Sequence, residues 1–100
     1  GGGFPDNIPR VLPEGVGVEL DLSAIPVPPV FGWLARTGGV EQAEMLRTFN
    51  CGIGMVVVAD GPRADEAEDV LRAAGETPVR LGRVVAAGAE RVATIGRLAL

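Results

Sequence analysis

The hydrophobic pattern changes period several times along the chain, and each change marks an element. Residues 14–21 alternate, with Val16, Val18 and Leu20 on one parity against Gly17 and Glu19, the signature of a half-buried strand. Residues 51–60, CGIGMVVVAD, are apolar on both parities. They predict the strongest strand, covered on both faces, with Gly52 and Gly54 leaving its start bare for close backbone approach. Residues 63–74 predict the clearest helix, with Ala64, Ala67, Val70, Leu71 and Ala74 as one stripe and Gly75 as the C-cap. Residues 77–87 then predict a strand with Val79 and Leu81 on one face. Ala87-Gly88 makes a turn, and residues 91–100 predict a last strand at an edge.

The first half is more punctuated. Residues 2–12 predict a short helix that Pro9 kinks or ends, because proline removes an interior hydrogen bond. Residues 24–30, AIPVPPV, are extended. Pro28-Pro29 opens a helix whose apolar side is Val30, Phe31, Trp33 and Leu34, and Gly38-Gly39 stops it. Residues 40–49 predict a second short helix with Ala43, Met45 and Leu46 buried. The second half thus reads β-α-β-β, while the first adds helices and one strand. The economical architecture is α+β, a mixed β-sheet with helices packed on it, partly ferredoxin-like.

Composition narrows what such a fold can do. At 100 residues the chain makes one small domain or a piece of a larger protein, and 47% apolar residues supply a core. A net charge of -4 argues against nucleic acid as partner, since phosphate contacts need a basic face. The absence of histidine removes the usual general base and the commonest metal ligand. Cys51 is the single cysteine, which excludes an internal disulfide and a Cys/His zinc site. No apolar run approaches the roughly 20 residues of a membrane span, and no signal peptide is visible, so a cytoplasmic setting is expected.

Four places could carry chemistry. Asp65, Glu66, Glu68 and Asp69 are the densest charge, but they sit where a helix dipole favours them and read as a solvated face. Cys51 lacks a histidine to activate it and reads as a buried structural thiol. RTFNCGIG, residues 47–54, puts a cation, a hydroxyl, an amide and two glycines at a helix-to-strand junction. That is either an ordinary connection with an Asn turn or a set of groups presented to a cleft. GGGFPDNIPRVLP, residues 1–13, is either a frayed terminus or an anion-binding turn. No Gly-Lys-Ser/Thr follows, so it is no P-loop. Asn7 and Arg10, three apart, would share a helix face.

Taken in order, GGGFPDNIPRVLP, VFGWL and EMLRTFNCGIGMVVV resemble phosphoribosylformylglycinamidine cyclo-ligase, the aminoimidazole ribonucleotide synthetase family. Its pattern runs Gly-Gly-Gly, Asn-Ile-Pro-Arg-Val-Leu-Pro, then Met-x-Arg-Thr-Phe-Asn-Cys-Gly-(Val/Ile)-Gly-Met. The match spans essentially the whole chain but only about the last third of a family member. It implies a C-terminal domain, residues 1–100, without the N-terminal domain that supplies most ATP and metal contacts and the dimer interface. It also implies ATP- and Mg²⁺-dependent closure of the imidazole ring of formylglycinamidine ribonucleotide in purine biosynthesis, in a cytoplasmic homodimer. The isolated domain is expected to be inactive and to hold neither ATP nor metal by itself. Nucleic acid and membrane are not expected partners.

Carried onto this chain, the resemblance implies a phosphate or substrate patch at Gly1, Gly2, Gly3, Asn7 and Arg10. It adds cleft-lining polar groups at Arg47, Thr48 and Asn50, with close backbone approach at Gly52 and Gly54. It names no catalytic residue and no metal ligand. Two departures stand out. The family's His-x-Thr before the glycines is not in this sequence, and Phe4-Pro5 replaces the frequent Leu-Leu. Two other readings stay open. One is a related ATP-using enzyme, such as selenophosphate synthetase or thiamine-monophosphate kinase. The other is a ferredoxin-like ligand-binding module with no chemistry.

Overall fold

The computed structural model describes residues 2–100. The chain folds as α+β around a three-stranded mixed sheet of order β2-β1-β3. β1 (Val16–Asp21) is central. β2 (Gly82–Ala86) lies antiparallel to it, pairing Val18 with Val84 and Leu20 with Gly82. β3 (Val92–Ile95) lies parallel on the other side, pairing Val18 with Val92, and is the expected edge strand. The alternation read in residues 14–21 holds in part in β1: Val18 and Leu20 are buried and Val16 half-buried on one face, Glu19 pairs with Arg83 on the other, 3.4 Å apart, and Gly17 on that other parity is buried against the Arg91 backbone.

The helices cover the Val18 and Leu20 face. α1 (Gly3–Asn7) runs into a 3-10 turn, Ile8–Val11, because Pro9 cannot donate to the α ladder. α2 (Pro29–Gly38) starts on proline and ends at Gly39 in left-handed conformation. α3 (Gln42–Thr48) packs against α1 and buries Met45 and Leu46. The core joins Phe4 and Ile8 to Val18, Leu20, Leu22, Ile25, Ala35, Met45, Leu46, Cys51 and Leu98. Phe31 and Phe49 meet edge to face at 5.8 Å and flank it.

Several expectations are corrected. Residues 51–60 form no strand: no backbone group of residues 54–59 pairs with another backbone group among the described residues, and Met55 is 82% exposed. Cys51 (φ 52) and Gly52 (φ 99) turn the chain away at the start, and β2 and β3 already occupy both edges of β1. The second half is therefore α-β-β. The strand expected over residues 77–87 pairs only over β2, and the last strand stops at Ile95, where Gly96 takes φ 69.

On α2, Val30 and Trp33 face solvent and the buried positions are Gly32 and Ala35. The small residues are inside because the chain end crosses there: a methyl group on Gly32 would lie 3.1 Å from the Leu100 carbonyl carbon. Ala43 is exposed, since α3 is too short to bury more than Met45 and Leu46.

α4 (Ala64–Ala73) has no buried residue; Ala64, Ala67 and Leu71 are half-covered, and Val70 and Ala74 are open. The Arg80 guanidinium reaches it from the following segment, meeting both Asp65 and Glu68, while Arg72–Glu68 and Arg63–Glu66, each at 3.1 Å, brace the helix itself. The acidic face is thus a docking face for Arg80 as well as a solvated one. Arg80, then desolvation opposing it, then Arg72 act on Glu68, and the net effect holds its carboxyl below the ordinary value of 4.5. A depressed carboxylate stabilises the fold above its unfolded-state value and loses that contribution as pH falls through the folded-state value. Unfolding titrations of the wild type and Arg80→Gln should therefore differ at neutral pH and converge in the acid range below pH 4.5. A difference that persists undiminished in acid would remove the tether from the account. Because these groups are exposed, the effect is small.

Candidate functional site

Two stretches nearly fifty residues apart meet in space. Gly3, Phe4, Asn7, Ile8 and Val11 form one wall of a cleft, and Asn50, Ile53, Gly54, Met55, Val56 and Val58 form the other, around a volume of about 290 Å³. The contact that joins the walls is a backbone one. Gly3, at φ 58, lies against the end of α3 so closely that a methyl group there would overlap the Leu46 carbonyl oxygen and stand 3.2 Å from the Arg47 carbonyl carbon. Glycine is needed here for close approach and for its left-handed backbone together.

Each wall is held by its own polar groups. Asn7 Nδ2 donates to the Gly3 carbonyl at 2.7 Å, tying α1 across one turn. Asn50 Oδ1 accepts from Gly52 N–H at 2.9 Å, and the Asn50 carbonyl accepts from Ile53 N–H at 3.0 Å. That is an Asx turn, which carries the left-handed Cys51 and Gly52. Cys51 is fully buried beneath it, with Sγ 4.0 Å from the Met45 carbonyl. Burial pushes its thiol pKa up, the direction opposite to an activated nucleophile.

Of the residues carried over from sequence, Gly3, Asn7, Asn50 and Gly54 line the cleft. Arg47 belongs to it through the contact of its backbone with Gly3, and its side chain is exposed. Arg10 is exposed one residue before the lining Val11. Neither arginine makes an ion pair among the described residues. Thr48 lies outside the lining, its hydroxyl donating to Glu44 at 3.3 Å. Gly52 approaches Pro28 closely, a methyl there lying 2.5 Å from the ring Cδ, so its closeness serves the chain's own packing. Gly2 (φ 93) precedes α1, and the Asp6 carboxylate folds back over it: a methyl on Gly2 would lie 2.5 Å from Asp6 Oδ2. An anion above Gly2 would meet that negative charge. Gly1 lies outside the described residues.

The apolar lining, Phe4, Ile8, Val11, Ile53, Met55, Val56 and Val58, was not legible as a site in the sequence. Its alternation and valine run carry only the signal of a strand or core. Chemically the cleft offers amides and glycine backbone on an apolar floor, with the exposed Arg10 and Arg47 outside the lining. No carboxylate lines it, and among the described residues no group of His, Cys, Asp or Glu side chains could hold a metal ion. The donor set does not fit Mg²⁺.

Residues 1–95 match the family model described as AIR synthase related protein, C-terminal domain. The chain belongs to this family. The match covers both walls of the cleft and the whole sheet, so the α+β architecture seen here is that family's domain. No helix among the described residues is long and apolar enough to cross a membrane.

Proposed function

We propose that this chain is the C-terminal domain of an ATP-dependent cyclo-ligase that closes the imidazole ring of formylglycinamidine ribonucleotide. The observation that carries the reading is the meeting of the two stretches most like that enzyme family, GGGFPDNIPRVLP and RTFNCGIG, across one cleft. The amides of Asn7 and Asn50 suit the polar, uncharged groups of the substrate's formylglycinamidine portion, and the apolar floor lies beside them. Arg10 and Arg47, exposed and without ion-pair partners among the described residues, suit the ribonucleotide phosphate. The chemistry this domain would add is positioning: holding the amidine nitrogen against the formyl carbon as its oxygen leaves with phosphate. ATP and Mg²⁺ are assigned to an N-terminal domain, in keeping with a cleft that has no carboxylate. Alone, the domain is a binding half without turnover. Cytoplasmic location and a homodimer of the full-length protein belong to the same proposal.

The test is made in the full-length protein with Arg10→Ala and Arg47→Ala. Loss of a charged hydrogen bond to phosphate of about 1.5–3 kcal/mol predicts roughly a ten- to hundredfold rise in KM for the ribonucleotide, with unfolding stability unchanged. Normal kinetics in both variants would remove the phosphate assignment. Turnover of selenide or thiamine monophosphate in place of formylglycinamidine ribonucleotide would move the protein to a sister enzyme of the family.

A further inference from the structure

The chain carries three sulfur atoms, in Met45, Cys51 and Met55. Two are sealed, for Met45 and Cys51 are both 0% exposed. Cys51 lies beneath the Asn50 turn, and burial raises its thiol pKa, so the thiolate that reacts with peroxides is scarce. Met55 is the opposite case. It is 82% exposed and stands in the lining of the cleft between Gly54 and Val56. Gly54 leaves open space beside it, with nothing within 4 Å of the position its Cβ would take. Among the described residues, the one sulfur that an oxidant in solution reaches is therefore on the wall of the candidate site.

We propose that Met55 is a reversible oxidation site, whose conversion to the sulfoxide by hydrogen peroxide weakens ligand binding in the cleft. The Met55 Sδ lone pair attacks one peroxide oxygen. An S–O bond forms, the O–O bond breaks, and the second oxygen leaves as water after taking the proton of the first. Sulfur loses two electrons and the peroxide gains them. In a sulfoxide reductase two thiols reverse the step, releasing the oxygen as water and becoming a disulfide. The consequence for the cleft follows from its lining. The neighbours of Met55 on its own wall, Ile53, Val56 and Val58, are apolar. A thioether continues that surface, whereas a sulfoxide puts a strong acceptor into it beside side chains that have no donor. A ligand covering this wall must then strip water from an oxygen that those neighbours cannot pair. The modification adds no charge, so it acts through hydration and not through Arg10 or Arg47. The loss of binding rests on the ring-closure reading of the cleft; the oxidation site does not.

The 100-residue chain is treated with hydrogen peroxide and mapped by peptide mass spectrometry. Met55 is expected to gain one oxygen at least about tenfold faster than Met45 or Cys51, because reaction at a buried sulfur waits for local opening. Oxidation of all three at one rate overturns the proposal. In the full-length protein, peroxide is expected to raise KM for formylglycinamidine ribonucleotide about fivefold or more, with recovery on sulfoxide reductase treatment. Met55→Leu keeps the volume and should show no such change relative to its own untreated value. An unchanged KM with Met55 fully oxidised, or an equal rise in the leucine variant, overturns the proposal and leaves the ring-closure reading standing. Absence of ring closure before any peroxide is added counts against that reading instead. Oxidation of Met55 must then still move the side-chain amide resonances of Asn7 and Asn50 in the isotopically labelled chain, and unmoved resonances overturn the proposal.

Discussion

Replacing Gly3 by alanine will destabilise the domain by about 2–5 kcal/mol, combining a left-handed backbone penalty with overpacking against a neighbouring backbone. The added methyl overlaps the Leu46 carbonyl oxygen, an atom fixed in the last turns of α3, and Gly3 already sits at φ 58. A flexible side chain could move aside; a helix carbonyl cannot without dragging α3 and the buried Met45 and Leu46 with it. The control is Gly15→Ala. Gly15 also has positive φ, 76, but nothing lies within 4 Å of its would-be Cβ, so only the backbone penalty of roughly 1–2 kcal/mol applies. Thermal unfolding of the two variants separates the effects. For a domain of this size Gly3→Ala should lower Tm by about 10 °C or more and Gly15→Ala by much less. Equal losses would show that the α1–α3 contact is not tight. The outcome bears on function as well, because that contact is what joins the two walls of the cleft. A Gly3 variant that loses ligand binding has lost its cleft, and its effect is not evidence for a phosphate contact.

Arg91→Ala is the second large effect. The Arg91 guanidinium reaches back across the sheet to three carbonyls: Nη2 lies 3.2 Å from Leu12 O, 2.9 Å from Pro13 O and 3.2 Å from Val16 O, with Nε 3.2 Å from Val16 O. Its own carbonyl accepts from Val18 N–H at 2.8 Å. One residue therefore clamps the loop before β1 to the start of β3, the strand whose parallel pairing has no hairpin to support it. Hydrogen bonds from a charged donor contribute about 1.5–3 kcal/mol each before water replaces some of them. A net loss of roughly 3 kcal/mol is expected in urea unfolding, with the slope unchanged. Arg91→Lys should recover only part, because an ammonium cannot span the three carbonyls that the planar fork reaches. Full recovery by lysine would mean that charge, and not geometry, holds the clamp.

Local elements were legible where short-range rules suffice. Pro9 ends α1, Pro29 opens α2, Gly39 and Gly75 take the left-handed positions after their helices, and the alternation of Val16, Val18 and Leu20 sets the buried face of β1. Cys51 was readable as a buried thiol for the same reason: without a histidine nothing could activate it, and an apolar setting raises its pKa. Residues 51–60 misled because apolarity on both parities predicts burial on two faces, whereas beyond Ile53 the segment is left largely open. Whether a run becomes a strand depends on whether another backbone pairs with it, which is a property of the whole sheet. Arg91 gave no signal, since its carbonyl partners lie more than seventy positions away and carbonyls are present at every residue.

By itself, then, the sequence determined the α+β class, the helix ends, the parity of β1 and the two stretches whose resemblance led to the family. The tertiary structure alone decided which of those groups share a cleft. Gly3, Asn7, Asn50 and Gly54 do; Thr48 and Gly52 turn to Glu44 and Pro28; and Asp6 stands over Gly2. The physical reason is range. Capping, proline and alternation act within a turn or two of the chain, whereas a cleft is made by close backbone approach between segments that only packing brings together.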